Sequence, residues 1–141
     1  MNEARPILQN ILGNLHETLF GLERQIAVGD LVSQLGDKER IALRRIFDGF
    51  LSKMFLLEAS DIELGGHGCL GLVWYRIFGL KKPEPSWGTY TPEEMSALIQ
   101  NTLTETQKKI LYQNRNLDFS YSLVEQSLTR RLRADAYFDL D

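Results

Sequence analysis

The sequence predicts an all-α domain. The expected architecture is a helical bundle of five or six helices, a long N-terminal antiparallel pair followed by three shorter C-terminal helices. Three observations predict it. A leucine-rich stripe recurs at helical spacing through residues 4–28. A second apolar stripe runs through residues 38–59. Three capping-box patterns punctuate residues 91–137. A chain of 141 residues is one ordinary domain by length, and residues 1–141 are read as such. Residues 1–64 form the helix pair, 65–91 a connecting segment and 92–141 the C-terminal cluster.

The first helix is expected over residues 4–28. Leu8, Leu12, Leu15, Leu19, Leu22 and Ile26 follow a 4-3-4-3-4 spacing, and Pro6 suits a first turn. Gly13 and Gly21 fall opposite the stripe, and Phe20 projects away from it. Gly29-Asp30 is read as a break, with a short helical turn over residues 31–35. Asp37 is a good N-cap for a second helix over residues 38–59. Leu43, Phe47, Phe50, Met54 and Leu57 form its main stripe; Ile46, Leu51 and Phe55 broaden it, which places this helix centrally.

Residues 65–90 collect the rare residue types: both tryptophans, the one cysteine and six of the eleven glycines. Residues 69–78 read as a short buried helix, with Gly79 as its C-cap. Residues 81–90 read as an irregular loop, because Pro83 and Pro85 oppose regular pairing. Beyond it, Thr91-Pro92-Glu93-Glu94 opens a well-capped helix. Thr104-x-x-Gln107 opens the next. Ser122-x-x-Glu125 opens the last, with Val124, Leu128 and Leu132 facing inward and Gln126, Arg130, Arg133 and Tyr137 opposite.

Composition narrows the functional classes. The chain is 43% hydrophobic and 25% charged, which argues against disorder. No apolar run approaches the roughly 20 residues of a membrane-spanning helix, and residues 1–6 do not resemble a secretory signal. A single cysteine forms no internal disulfide. These features favour a cytoplasmic, reducing compartment and no membrane partner. Net charge is −3; only residues 65–91 are net positive. An acidic whole argues against bulk nucleic-acid packaging.

No catalytic set and no metal site can be assembled from the sequence, and no cofactor motif is present. His67-x-Cys69 is the one suggestive pair, but zinc needs three or four ligands. A histidine two residues away is also a poor base for a cysteine nucleophile. Cys69 reads better as a small buried hydrophobe. Two binding surfaces remain. In the middle segment, basic and aromatic residues interleave, and Lys81, Lys82, Trp87 and Tyr90 form the expected partner-binding site. In the last helix, Gln126, Arg130 and Arg133 have the chemistry to touch bases and phosphates. Against that reading, the connection over residues 114–121 is too long for a helix-turn-helix.

The function expected from sequence is therefore a non-enzymatic protein-interaction module: an adaptor, regulator or small subunit of a larger assembly. The alternative is a nucleic-acid-binding regulator that uses the C-terminal helix and the basic/aromatic loop. The leucine stripe serves either a homodimer or an intramolecular bundle equally well.

Overall fold

Two short turns overturn the all-α expectation. The computed structural model describes residues 3–138, and there the chain is mixed α/β, with five helices and two antiparallel sheets. It is not a helical bundle. Phe78 and Gly79 have φ of 50° and 80°, and Gln126 and Ser127 have φ of 47° and 68°. Paired positive φ values make the two-residue turns whose twist matches a β-hairpin. Each therefore reverses a strand where a helix or loop was expected.

The expected first helix is two helices, α1 (Ala4–Leu12) and α2 (Gly21–Ser33). Gly21 takes φ 60°, a conformation a helix cannot continue through. The expected break at Gly29-Asp30 does not occur. Gly29 is buried inside α2, where the helix crosses the two later ones. Helix α3 (Asp37–Leu56) closely follows the expected second helix. The Gly36 backbone N–H donates to the Glu39 carboxylate at 2.8 Å, closing its first turn.

Strand β1 (Asp61–Glu63) pairs with β2 (Trp74–Ile77), which pairs with β3 (Leu80–Pro83). The expected helix over residues 69–78 is thus a 3₁₀ turn (His67–Cys69) and then a strand. The expected irregular loop contains β3 and a second 3₁₀ turn (Pro85–Trp87). Pro83 is tolerated because β3 lies at the edge of its sheet.

Two of the three capping boxes form. In α4 (Pro92–Gln100) the Glu94 N–H donates to Thr91 Oγ1 at 3.1 Å, and the Thr91 N–H donates to Glu94 Oε1 at 2.8 Å. Thr104 and Gln107 do the same for α5 (Glu105–Asn114). Thr91→Ala is expected to lower stability by about 1 kcal/mol, read as a shifted urea midpoint with an unchanged slope. The third box caps nothing. Ser122 and Glu125 lie in β4 (Asn116–Glu125), which turns directly into β5 (Leu128–Tyr137). On β4, Leu117, Phe119, Tyr121 and Leu123 alternate inward, facing Ala136, Ala134, Leu132 and Arg130 of β5.

The core sits on α3. Leu43 and Phe50 are fully buried, with Met54 close behind. Helices α1 and α4 and strands β1 and β4 all touch α3. Phe50 meets Trp87, Tyr90 and Phe47 edge-on. Polar ties join the first helices to α4. Arg24 Nε donates to Glu93 at 2.9 Å, Ser96 Oγ donates to Gln25 Oε1 at 2.5 Å, and Arg5 pairs with Glu94 at 3.5 Å. No helix among the described residues is long and apolar enough to cross a membrane.

Candidate functional site

The two sheets lie side by side on α3 without joining. A cleft of about 1560 Å³ opens between them and extends over the start of α4, where residues 89–94 and Ser96 also line it, together with Gln25 of α2. Its floor is apolar, from Phe47, Leu51 and Met54 of α3. One wall is the continuous run of residues 60–67, which contains β1. The other is the continuous run 131–138, most of β5. A strand that presented only one face would contribute alternate residues. Unbroken runs on both sides mean that the cleft is bordered by strand edges.

Local chemistry holds these walls in place. Tyr121 on β4 donates its hydroxyl to Asp48 Oδ1 on α3, and the Arg44 guanidinium sits 4.8 Å from the tyrosine ring centre. Burial raises the Asp48 carboxyl above its ordinary value, against the opposing pull of the Tyr121 hydrogen bond and Arg44. Burial, then the Asp48 carboxylate, raise the Tyr121 hydroxyl as well. Tyr121 therefore stays protonated and keeps donating at neutral pH. At the hairpin tip, the Arg130 guanidinium stacks 4.3 Å from the Phe55 ring and pairs with Glu125 at 3.5 Å. At the base, the Phe138 N–H donates to the Arg115 carbonyl at 3.1 Å, and the Phe138 ring stacks on Tyr112. Strand β5 is thus fixed at both ends and along β4.

Four carboxylates around the cleft are ion-paired, while Asp118 and Asp135, which also line it, make no ion pair among the described residues. Asp61 pairs with Arg76 at 3.7 Å, Glu63 with Lys81, and Glu93 and Glu94 with Arg24 and Arg5. Arg131 and Arg133 on β5 make no ion pair among the described residues. Cys69 is buried and His67 is exposed. Among the described residues no group of three His, Cys, Asp or Glu is placed to hold a metal.

The residues expected to bind a partner divide by placement. Lys81 and Lys82 are exposed on β3. Lys81 reaches Glu63, which raises its ammonium pKa, and lies 5.5 Å from the Trp74 ring centre. Trp87 and Tyr90 turn the other way. The Trp87 indole N–H donates to Tyr75 Oη at 3.0 Å, and Tyr75 in turn donates to the Phe50 carbonyl at 2.7 Å. Burial pushes the Tyr75 hydroxyl up to about 12. Tyr90 is only 3% exposed, under the Arg5 guanidinium. Tyr90 is therefore a core residue rather than a surface contact, and the four residues do not form one patch. Gln126 sits in the β4–β5 turn, Arg130 is stacked on Phe55, and Arg133 is exposed on β5. Among the described residues no C-terminal helix carries them into a groove.

Sequence reading missed the residues that line the cleft. These are Ile62 on β1, Leu64 beside it, and Ala134 and Ala136 on β5, all half-buried; Leu132, read as an inward helix position, lines the cleft from a strand. The available signal was the strict alternation at Leu117, Phe119, Tyr121 and Leu123. Compared with known proteins, the chain matches no family model, no curated protein and no solved structure. The cleft and its chemistry therefore carry the functional argument.

Proposed function

We propose that this chain is a protein-interaction module that engages its partner in the cleft between β1 and β5. The observation that carries this reading is the character of the cleft: an apolar floor between two strand edges. Its volume exceeds the roughly 300–1,000 Å³ of small-molecule sites, which favours a polypeptide occupant. The exposed pair Lys81 and Lys82 on β3 is a second contact surface that the same module can present. Nothing specific favours nucleic acid: Arg130 is already engaged and the whole chain is acidic.

The test is site-specific photocrosslinking in the native source. A benzoylphenylalanine placed at Ala134 is expected to form one discrete adduct with another protein, whereas the same residue at Lys82 gives less. Adducts only from position 82 would move the contact surface to β3. No adduct from either position would end the reading.

A further inference from the structure

We infer that the cleft accepts one extended polypeptide strand from outside the described residues, which pairs with β5 on one side and β1 on the other. This joins the two sheets into one of six strands. The inference rests on reading the cleft as a docking site, and it specifies how docking occurs.

The hydrogen-bond pattern identifies the open groups. In an antiparallel hairpin, directly opposed residues alternate between bonded and non-bonded pairs. The pair that closes a two-residue turn is bonded. Glu125 and Leu128 close the β4–β5 turn. Counting back along β5, Leu132, Ala134 and Ala136 bond to β4, while Arg131, Arg133 and Asp135 direct their N–H and C=O groups away from it. The same count on the other sheet starts from the closing pair Ile77 and Leu80. It assigns Trp74 and Arg76 to β1, and so leaves the backbone groups of Ile62 pointing outward. The Ser60 N–H also donates to the Arg76 carbonyl, at 2.9 Å, so the alternation on β1 ends at Asp61. No backbone hydrogen bond links β1 to β5 among the described residues.

The two edges differ from the remaining edge of the first sheet. Strand β3 carries Lys81, Lys82 and Pro83, residues that discourage further pairing. Strands β1 and β5 instead bring half-buried Ile62 and Leu132 against one shared layer formed by Leu51, Tyr121 and Leu123. Ala134 and Ala136 keep the floor beside them low. An inserted strand would rest every second side chain on this floor. Its other side chains would face outward beside Arg131, Arg133 and Asp135, with Asp118 next to Asp135 on β4, and none of these four is ion-paired among the described residues. The occupant is accordingly a segment of about seven residues, apolar at alternate positions, with polar residues between them that are acidic beside Arg131 and Arg133.

The probe is a labelled octapeptide library with Val, Ile or Leu at even positions and Glu or Thr at odd positions. A control library has the same composition with its apolar residues at helical spacing. The intact chain is expected to select the alternating library. Bound peptide should slow amide exchange at Ile62, Arg131, Arg133 and Asp135. N-methylation of the selected peptide at alternate residues should weaken binding at least about tenfold. Arg133→Pro removes an outward N–H without touching the β4 ladder, and should weaken binding while Arg133→Ala retains most of it. Preference for the helical library, equal binding of the N-methylated peptide, or no binding by either library overturns strand insertion. In each of those cases an adduct at position 134 would leave the docking reading standing. A peptide-free dimer that protects the same amides would assign the strand to a second copy, and would also overturn the inference.

Discussion

Phe50→Ala is expected to lower the stability of the fold by about 4 kcal/mol. Phe50 is fully buried at the centre of α3. Its ring meets Trp87 at 5.1 Å, Tyr90 at 5.8 Å and Phe47 at 6.4 Å between centroids, all edge-on. Truncation removes the transfer energy of the ring and leaves a cavity that three large neighbours cannot easily close. The gain in helix propensity is only about 0.5 kcal/mol. Small domains have about 5–15 kcal/mol in total, so most of the margin is at stake. Urea unfolding followed by tryptophan fluorescence reads the effect directly, since Trp87 packs on the deleted ring. A midpoint within about 0.5 kcal/mol of wild type would mean that the aromatic cluster is not the core.

Gly29→Ala is expected to destabilise by about 2 kcal/mol, although alanine is the better helix former. A methyl group at position 29 would sit inside van der Waals contact with the Tyr112 hydroxyl and Gln100 Oε1. Those two atoms are hydrogen-bonded to each other at 2.5 Å. Gln100 also donates to the Gln25 carbonyl and to Ser96, each at 2.9 Å, and is 1% exposed. It has nowhere to swing without leaving buried groups unpaired. The melting temperature should fall by roughly 6 °C. Adding Tyr112→Phe removes one of the obstructing atoms and should recover part of the loss. A Gly29→Ala protein that melts at or above the wild-type temperature would contradict the close crossing of α2 with α4 and α5.

Much of the helical half was legible in the sequence. The stripe through Leu43, Phe50 and Met54 marks α3. The reciprocal caps at Thr91 and Thr104 mark α4 and α5. The strands were not legible, for identifiable reasons. Neither hairpin turn uses Asn-Gly or Asp-Gly; Phe78-Gly79 and Gln126-Ser127 take their place. Val124, Leu128 and Leu132 fall four apart and imitate a helical face, yet Val124 and Leu128 are exposed. The leucine stripe likewise continues through Leu15 and Leu19, where the chain has already left α1. The candidate site is harder still to read locally. Ile62 and Ala134 lie far apart in sequence, and only the packing of both sheets on α3 brings their strands to one cleft. Trp87 looked like an exposed anchor because it lies in a proline-containing loop next to Lys81 and Lys82, but its indole N–H is bonded to Tyr75.

The polar ties between the first helices and α4 have a kinetic consequence. Strands β2–β3 and β4–β5 meet across two-residue turns, so these pairings form without closing long loops. The demanding closures include those that bring Arg24 to Glu93, Gln25 to Ser96 and Asp48 to Tyr121, separated by 69, 71 and 73 residues. Loop-closure entropy rises with such separations, and contacts of this kind slow folding. Hairpins and helices can therefore form early and locally, while docking α2 onto α4 and β4 onto α3 both wait on long closures.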